Sequence, residues 1–97
     1  MSKIMDYADA LIAMKAGYRV ARAGWNGKGM WICLAEGQAA LPAEKFWNRH
    51  TRVFAQANGG TADVLPYFVM KTADNKILMG WLASQTDMIA EDWEILS

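Results

Sequence analysis

Cysteine and histidine each occur once in this 97-residue chain, as Cys33 and His50. A lone cysteine excludes a disulfide within the chain and fits a reducing compartment. A lone histidine, with no second histidine or cysteine at ligand spacing, makes no metal site. Net charge is also missing, because ten Lys and Arg balance ten Asp and Glu. There is thus no general electrostatic pull toward DNA, RNA or an acidic membrane. No apolar run approaches the roughly 20 residues that span a bilayer. Met1-Ser2-Lys3-Ile4-Met5-Asp6 lacks the apolar stretch of a signal peptide. A Gly-x-Ser-x-Gly elbow is absent, and Cys33 falls within an expected strand, where a thiol packs more often than it attacks. The absences point to a soluble cytoplasmic protein that is not an enzyme and carries no cofactor.

What the chain does have is apolar surface. Hydrophobic residues make up 54% of it and five residues are tryptophan. That surplus needs burial in a core, at a subunit interface or under a ligand. The balanced charge is also unevenly spread. Residues 19–52 carry Arg19, Arg22, Lys28, Lys45, Arg49 and Arg52 against Glu36 and Glu44. Residues 53–97 carry Lys71 and Lys76 against Asp63, Asp74, Asp87, Glu91, Asp92 and Glu94. The first part suits an anion and the second can complement it across a dimer contact; ordinary solvated charge is the alternative.

Asp6 followed by Asp9, with Tyr7, Ala8, Leu11, Ile12 and Met14 at helical spacing and Gly17 as the stop, predicts a helix over 6–16. Strands are expected over Tyr18–Ala23 and Met30–Ala35, joined through Asn26-Gly27 as a hairpin. Residues 36–62 read as less regular, with a short helix opening near Pro42. Further strands are expected over Pro66–Thr72, Ile77–Leu82 and Asp92–Leu96, with a Ser84–Ala90 connection bearing the cap-like Thr86 and Asp87. The fold class is α+β: one domain over 1–97, an N-terminal helix on an antiparallel sheet of about five strands, and a variable insert at 36–62. Several strands are apolar on both faces, and one helix covers only one face. A second copy of the chain is the simplest cover for the other, and a fold-back of 36–62 is the alternative.

Gly24-Trp25-Asn26-Gly27-Lys28-Gly29-Met30-Trp31 is echoed by Gly80-Trp81-Leu82-Ala83-Ser84-Gln85-Thr86-Asp87. Each segment sets an indole beside small and polar residues. An indole is a flat, rigid platform for a base, and glycines let backbone N–H groups come close to an anion. Trp25, Gly27, Trp81, Ser84, Gln85 and Met88 are therefore candidate ligand contacts. For the two indoles the alternative is core packing, and for Gly27 it is a turn requiring positive φ. Gly29 is followed by a strand, which excludes a phosphate loop of the nucleotide-hydrolase type. Arg22 suits a phosphate, or else an ion pair with Asp87 or Asp92. Asp87 and its neighbours suit ribose hydroxyls, or else helix capping.

Arg22-Ala23-Gly24-Trp25-Asn26-Gly27-Lys28-Gly29-Met30, Leu65-Pro66-Tyr67, Met70-Lys71-Thr72-Ala73-Asp74 and Trp81 through Met88, followed by Ala90-Glu91-Asp92-Trp93, resemble the second type of Thoeris anti-defence protein. This is a phage and prophage family, and the resemblance spans nearly the whole chain except 36–62. It implies a sponge that binds a cyclic ADP-ribose isomer made by the bacterial Thoeris system, holds it intact and so keeps the effector inactive. It further implies a homotetramer with pockets between protomers, and in some members a separate site for cyclic dinucleotides. Trp25, Asn26, Trp81, Ala83, Ser84 and Met88 match the family's pocket positions, with Arg22 and Asp92 beside them. Two other functions compete: a nucleotide-cleaving enzyme that depends on Asp87 or Asp92, and a protein-interaction module of a prophage.

Overall fold

A computed structural model describes residues 4–97, which form two compact units: residues 4–35 with Tyr67–Ser97, and Glu36–Pro66. The first unit is a six-stranded antiparallel sheet with helices. Its strands are β1 (Ile4–Met5), β2 (Val20–Arg22), β3 (Trp31–Ala35), β6 (Tyr67–Lys71), β7 (Ile77–Met79) and β8 (Trp93–Ile95), in the order β1-β8-β2-β3-β6-β7. The α+β class is as expected, and the two-residue β1 adds a strand beyond the five.

Helix α1 (Tyr7–Lys15) begins where the Asp6 carboxylate accepts the Asp9 backbone N–H at 2.9 Å. It stops at Gly17, whose φ of +98° a side chain would resist. Ala10, Ala13 and Met14 form its buried stripe, while Ile12 faces outward. That stripe lies on Met5, Val20, Ile32, Met70 and Trp93, which share one face of the sheet and make up the core with it. Small alanines let the helix approach closely, and Trp93, fully buried, fills the largest volume. Register confirms the shared face: Val20 pairs with both Ile32 and Ile95, Met5 with Trp93, and Ile32 with Met70. The opposite face carries Trp31 and Cys33 on β3 and Val69 on β6, all half-buried.

Two expectations in this unit need correction. The strand expected over Ile77–Leu82 ends at Met79, so Trp81 lies outside it. Gly80, at φ +94°, turns the chain there, and the N–H groups of Gly80 and Trp81 both donate to the Phe68 carbonyl, at 2.8 and 3.0 Å. The Ser84–Ala90 connection is a helix, α3 (Gln85–Ile89), and its cap is Ser84 rather than Thr86.

The second unit, Glu36–Pro66, is more regular than its sequence suggests. Strands β4 (Gln38–Pro42) and β5 (Thr61–Val64) pair antiparallel around a bulge, where Ala40 takes φ 52° and its N–H donates to the Asp63 carboxylate at 2.8 Å. The helix expected near Pro42 is divided. A 3-10 turn spans Ala43–Lys45, and α2 (Arg49–Ala57) starts afresh because the Asn48 side chain accepts the His50 and Thr51 N–H groups.

Ile32 is completely buried at the centre of the larger unit. Urea unfolding of Ile32→Val should show a loss of about 0.5–1.5 kcal/mol, and Ile32→Ala a loss of about 2–5 kcal/mol. Equal, small losses for both would mean that this core is loosely packed.

Candidate functional site

The hairpin between β2 and β3 opens with Arg22, which is paired across the sheet with Trp93 and so lies on the core face, at its open end. Its side chain is 13% exposed, and the guanidinium holds two carboxylates. Nη1 donates to Asp87 Oδ1 at 2.7 Å and Nε to Asp92 Oδ1 at 2.9 Å. Of the alternatives open for Arg22, the structure contains the ion pair, made with both acids together. The other Asp92 oxygen accepts the Gly24 backbone N–H at 2.7 Å. Gly24 is needed there, since a Cβ would sit 2.6 Å from that oxygen.

Asp87 is buried and accepts on every side. Oδ1 takes the Trp25 indole N–H at 3.1 Å as well as Arg22. Oδ2 takes the Ser84 backbone N–H and hydroxyl at 3.2 and 2.9 Å, while the Ser84 hydroxyl accepts the Asp87 N–H at 3.1 Å. This reciprocal cap starts α3. The backbone carbonyl of Asp87 accepts the Trp93 indole N–H at 2.9 Å. One residue thereby joins the hairpin, a helix start and the core tryptophan.

The indoles form a cluster. Trp25 meets Trp93 and Trp81 edge-on, with centroids 5.5 and 6.3 Å away. Trp81 also meets Trp93 at 6.5 Å and Phe68 at 6.3 Å. Such tilted pairs are the favoured geometry for rings with negative faces and positive edges. Trp25 and Trp81 are only half-buried, unlike Trp93.

Beside Trp25 lies an open cleft of about 450 Å³, a volume suited to a small molecule. Arg22, Trp25, Asn26 and Gly27 line it, together with Lys28, Gly29, Met30 and Trp31. Positive φ belongs to Gly29, at 72°, and not to Gly27. Gly27 is small for packing, because a Cβ there would meet the Ala73 methyl at 2.5 Å. Lys71 donates to the Gly29 carbonyl at 3.0 Å and fixes the returning arm of the hairpin. The Arg19 guanidinium stands 5.3 Å from the centre of the Trp31 ring.

Trp81, Ala83, Ser84, Gln85, Asp87, Met88 and Asp92 do not line this cleft. Asp87 and Asp92 border it through Arg22, and Ser84 acts through Asp87. Gln85 and Met88 are exposed on α3, and Ala83 is half-buried just before it. Trp31, on β3 and on the sheet face opposite the core, also lines the cleft, a position outside the expected contacts. Among the described residues, no group of three or more His, Cys, Asp or Glu is placed to hold a metal ion.

Both carboxylates are held below their ordinary range. For Asp87, burial alone pushes upward, but the hydrogen bonds from Arg22, Trp25 and Ser84 outweigh it. For Asp92, the Arg22 hydrogen bond dominates, opposed by burial and helped by the Gly24 N–H. Arg22 is raised in turn, first by Asp92 and then by Asp87. Lowered carboxylate values in the folded state mean that this stabilisation is complete above the unfolded value of about 4 and disappears as pH falls through the folded values. In urea titrations, Asp92→Asn should be less stable than the parent at neutral pH, and the gap should narrow steadily below about pH 4. Parallel curves down to the acid limit would show that Asp92 contributes nothing through its charge.

A sequence model described as the Thoeris anti-defense 2-like domain matches residues 5–96. A protein of Bacillus phage SP01 named Thoeris anti-defense 2 is 38% identical over 97 residues, covering the whole of both chains. The matched residues 5–96 include the hairpin, the indole cluster and the Asp87 network. The chain belongs to the Thoeris anti-defense 2-like family, and its role is in Thoeris anti-defence.

Proposed function

We propose that this protein is a non-catalytic sponge that captures a cyclic ADP-ribose isomer and thereby keeps the Thoeris effector of an infected or lysogenic bacterium inactive. The observation that carries the reading is the cleft lined by Trp25 and Trp31 together with Gly27, Lys28 and Gly29. Flat rings accept an adenine face, and stacking of a base on an aromatic ring is worth about 1–3 kcal/mol. Bare amides and a cation suit a pyrophosphate.

Binding is favoured over cleavage by the state of the acids. Asp87 and Asp92 are both engaged by Arg22 and held in the ionised form, which leaves neither as a proton donor at neutral pH. A sponge needs affinity alone, and nanomolar capture corresponds to about −12 kcal/mol. An open cleft falls short of enclosing a guest, so the proposal includes a homo-oligomer, a tetramer, in which a second protomer closes it and brings Trp81, Ala83, Ser84, Gln85 and Met88 to the ligand. Exposed apolar residues on the larger unit support association: Ile77, Leu78 and Met79 on the edge strand β7, and Leu82 and Ile89 around α3. The proposed location is the host cytoplasm, where the signal is made.

The test is capture and release. Protein mixed with cyclic ADP-ribose isomers is removed by filtration, then heated, and the released material is analysed by mass. A captured isomer should vanish from the filtrate and return unchanged on heating. Trp25→Ala should lose capture while keeping the assembly of the parent. Recovery of a hydrolysed product would make the protein an enzyme, and no depletion of any isomer would end the nucleotide reading.

A further inference from the structure

Trp25 lines the cleft from a loop, without a strand to fix its ring. Its single indole N–H donates to Asp87 Oδ1, and the ring packs against the core beside Trp93 and Trp81, which it meets edge-on. We infer that Asp87 is a positioning residue for the ligand platform: its carboxylate sets the pose of the Trp25 ring, tying the cleft wall to the start of α3. The role of the platform rests on the sponge reading above; the geometry of the tie does not.

Three observations converge on this residue. Its two oxygens serve different parts of the fold, Oδ1 the hairpin through Arg22 and Trp25 and Oδ2 the helix cap through Ser84. The carboxylate is buried and ionised, so an indole N–H aimed at it gains a charge-assisted bond shielded from water. The Trp93 indole, in contrast, is held by the backbone carbonyl of the same residue. Side-chain substitution therefore releases one tryptophan and leaves the other bonded, an internal control that a general loosening of the fold would not reproduce.

The experiment follows indole N–H signals by nitrogen-15 NMR in the unliganded protein, with Trp25→Phe identifying the Trp25 signal. In Asp87→Ala the Trp25 signal should move upfield to a solvent-like position and exchange faster with water, while the Trp93 signal stays in place. If Asp87→Ala does not fold, Asp87→Asn supplies the same reading. An amide has one acceptor oxygen, so it cannot serve both the Arg22–Trp25 side and the Ser84 side as the carboxylate does. It presents Trp25 with either a weaker neutral acceptor or an NH2 group, and both move the signal upfield. An unmoved Trp25 signal in the folded variant overturns the inference, as does a shift of equal size in Trp93.

Calorimetric titration with cyclic ADP-ribose separates this from the functional reading. Loss of the positioned ring should weaken binding by about tenfold or more, the worth of one hydrogen bond to a charged group. If the parent binds none of the isomers, the sponge reading fails while the NMR signals still decide the tie. If the parent binds, the Trp25 signal moves and affinity is unchanged, the ring's pose does not matter to the ligand and the positioning role is overturned.

Discussion

The bonds gathered on the Asp87 carboxylate are the constraint on which the rest of the site depends. One buried anion takes Arg22 and Trp25 on one oxygen and the start of α3 on the other. Burying a carboxylate is unfavourable unless its acceptors are filled, and here they are filled by parts of the chain more than 60 residues apart as well as by near neighbours. The base of the hairpin, at Arg22 and Trp25, is thereby fastened to the start of α3. Asp92 adds a second clamp through Arg22 and Gly24. Rigidity at the hairpin base matters for a binding role, because a platform already in place loses less entropy when a ligand arrives.

Much of this was legible in the sequence, because its signals are local. Asp6 and Gly17 bracket α1, and the Asn26-Gly27 pair marks the hairpin. Arg22 was legible as a partner for Asp87 or Asp92, and the sheet places it on the core face, where it meets both. The features that escaped have non-local or very short causes. Helix α3 has five residues, too few for a periodicity, and its cap is recognised only once Asp87 is seen to reach back to Ser84. Strand β4 holds two alanines and a proline, and β5 follows Gly59 and Gly60, so their pairing rests on each other more than on propensity. Gly80 reads as part of an apolar strand until its φ shows a turn, and that turn moves Trp81 out of the sheet and into the aromatic cluster. The candidate site was likewise half visible. The Gly-Trp segments marked the hairpin and the cluster, but only the folded sheet shows that Trp31 and Lys28 share a cleft with Trp25.

Family membership and geometry bear on different questions. The match across residues 5–96 establishes the Thoeris anti-defence family. The proposed capture of a ligand draws on a different observation, a cleft lined by Trp25 and Trp31 beside acids already engaged by Arg22. Sequestration requires no group poised to react, which agrees with Asp87 and Asp92 both being engaged by Arg22.

The most direct measurement is a crystal structure of the assembled protein with a bound cyclic ADP-ribose isomer. The account predicts the adenine stacked on the Trp25 ring in the cleft of residues 21–31, the phosphates near Gly27, Lys28 and Gly29, and the Trp25 indole still bonded to Asp87. A ligand seated away from that cleft, or a cleft filled by the protein's own side chains in the assembly, would contradict it.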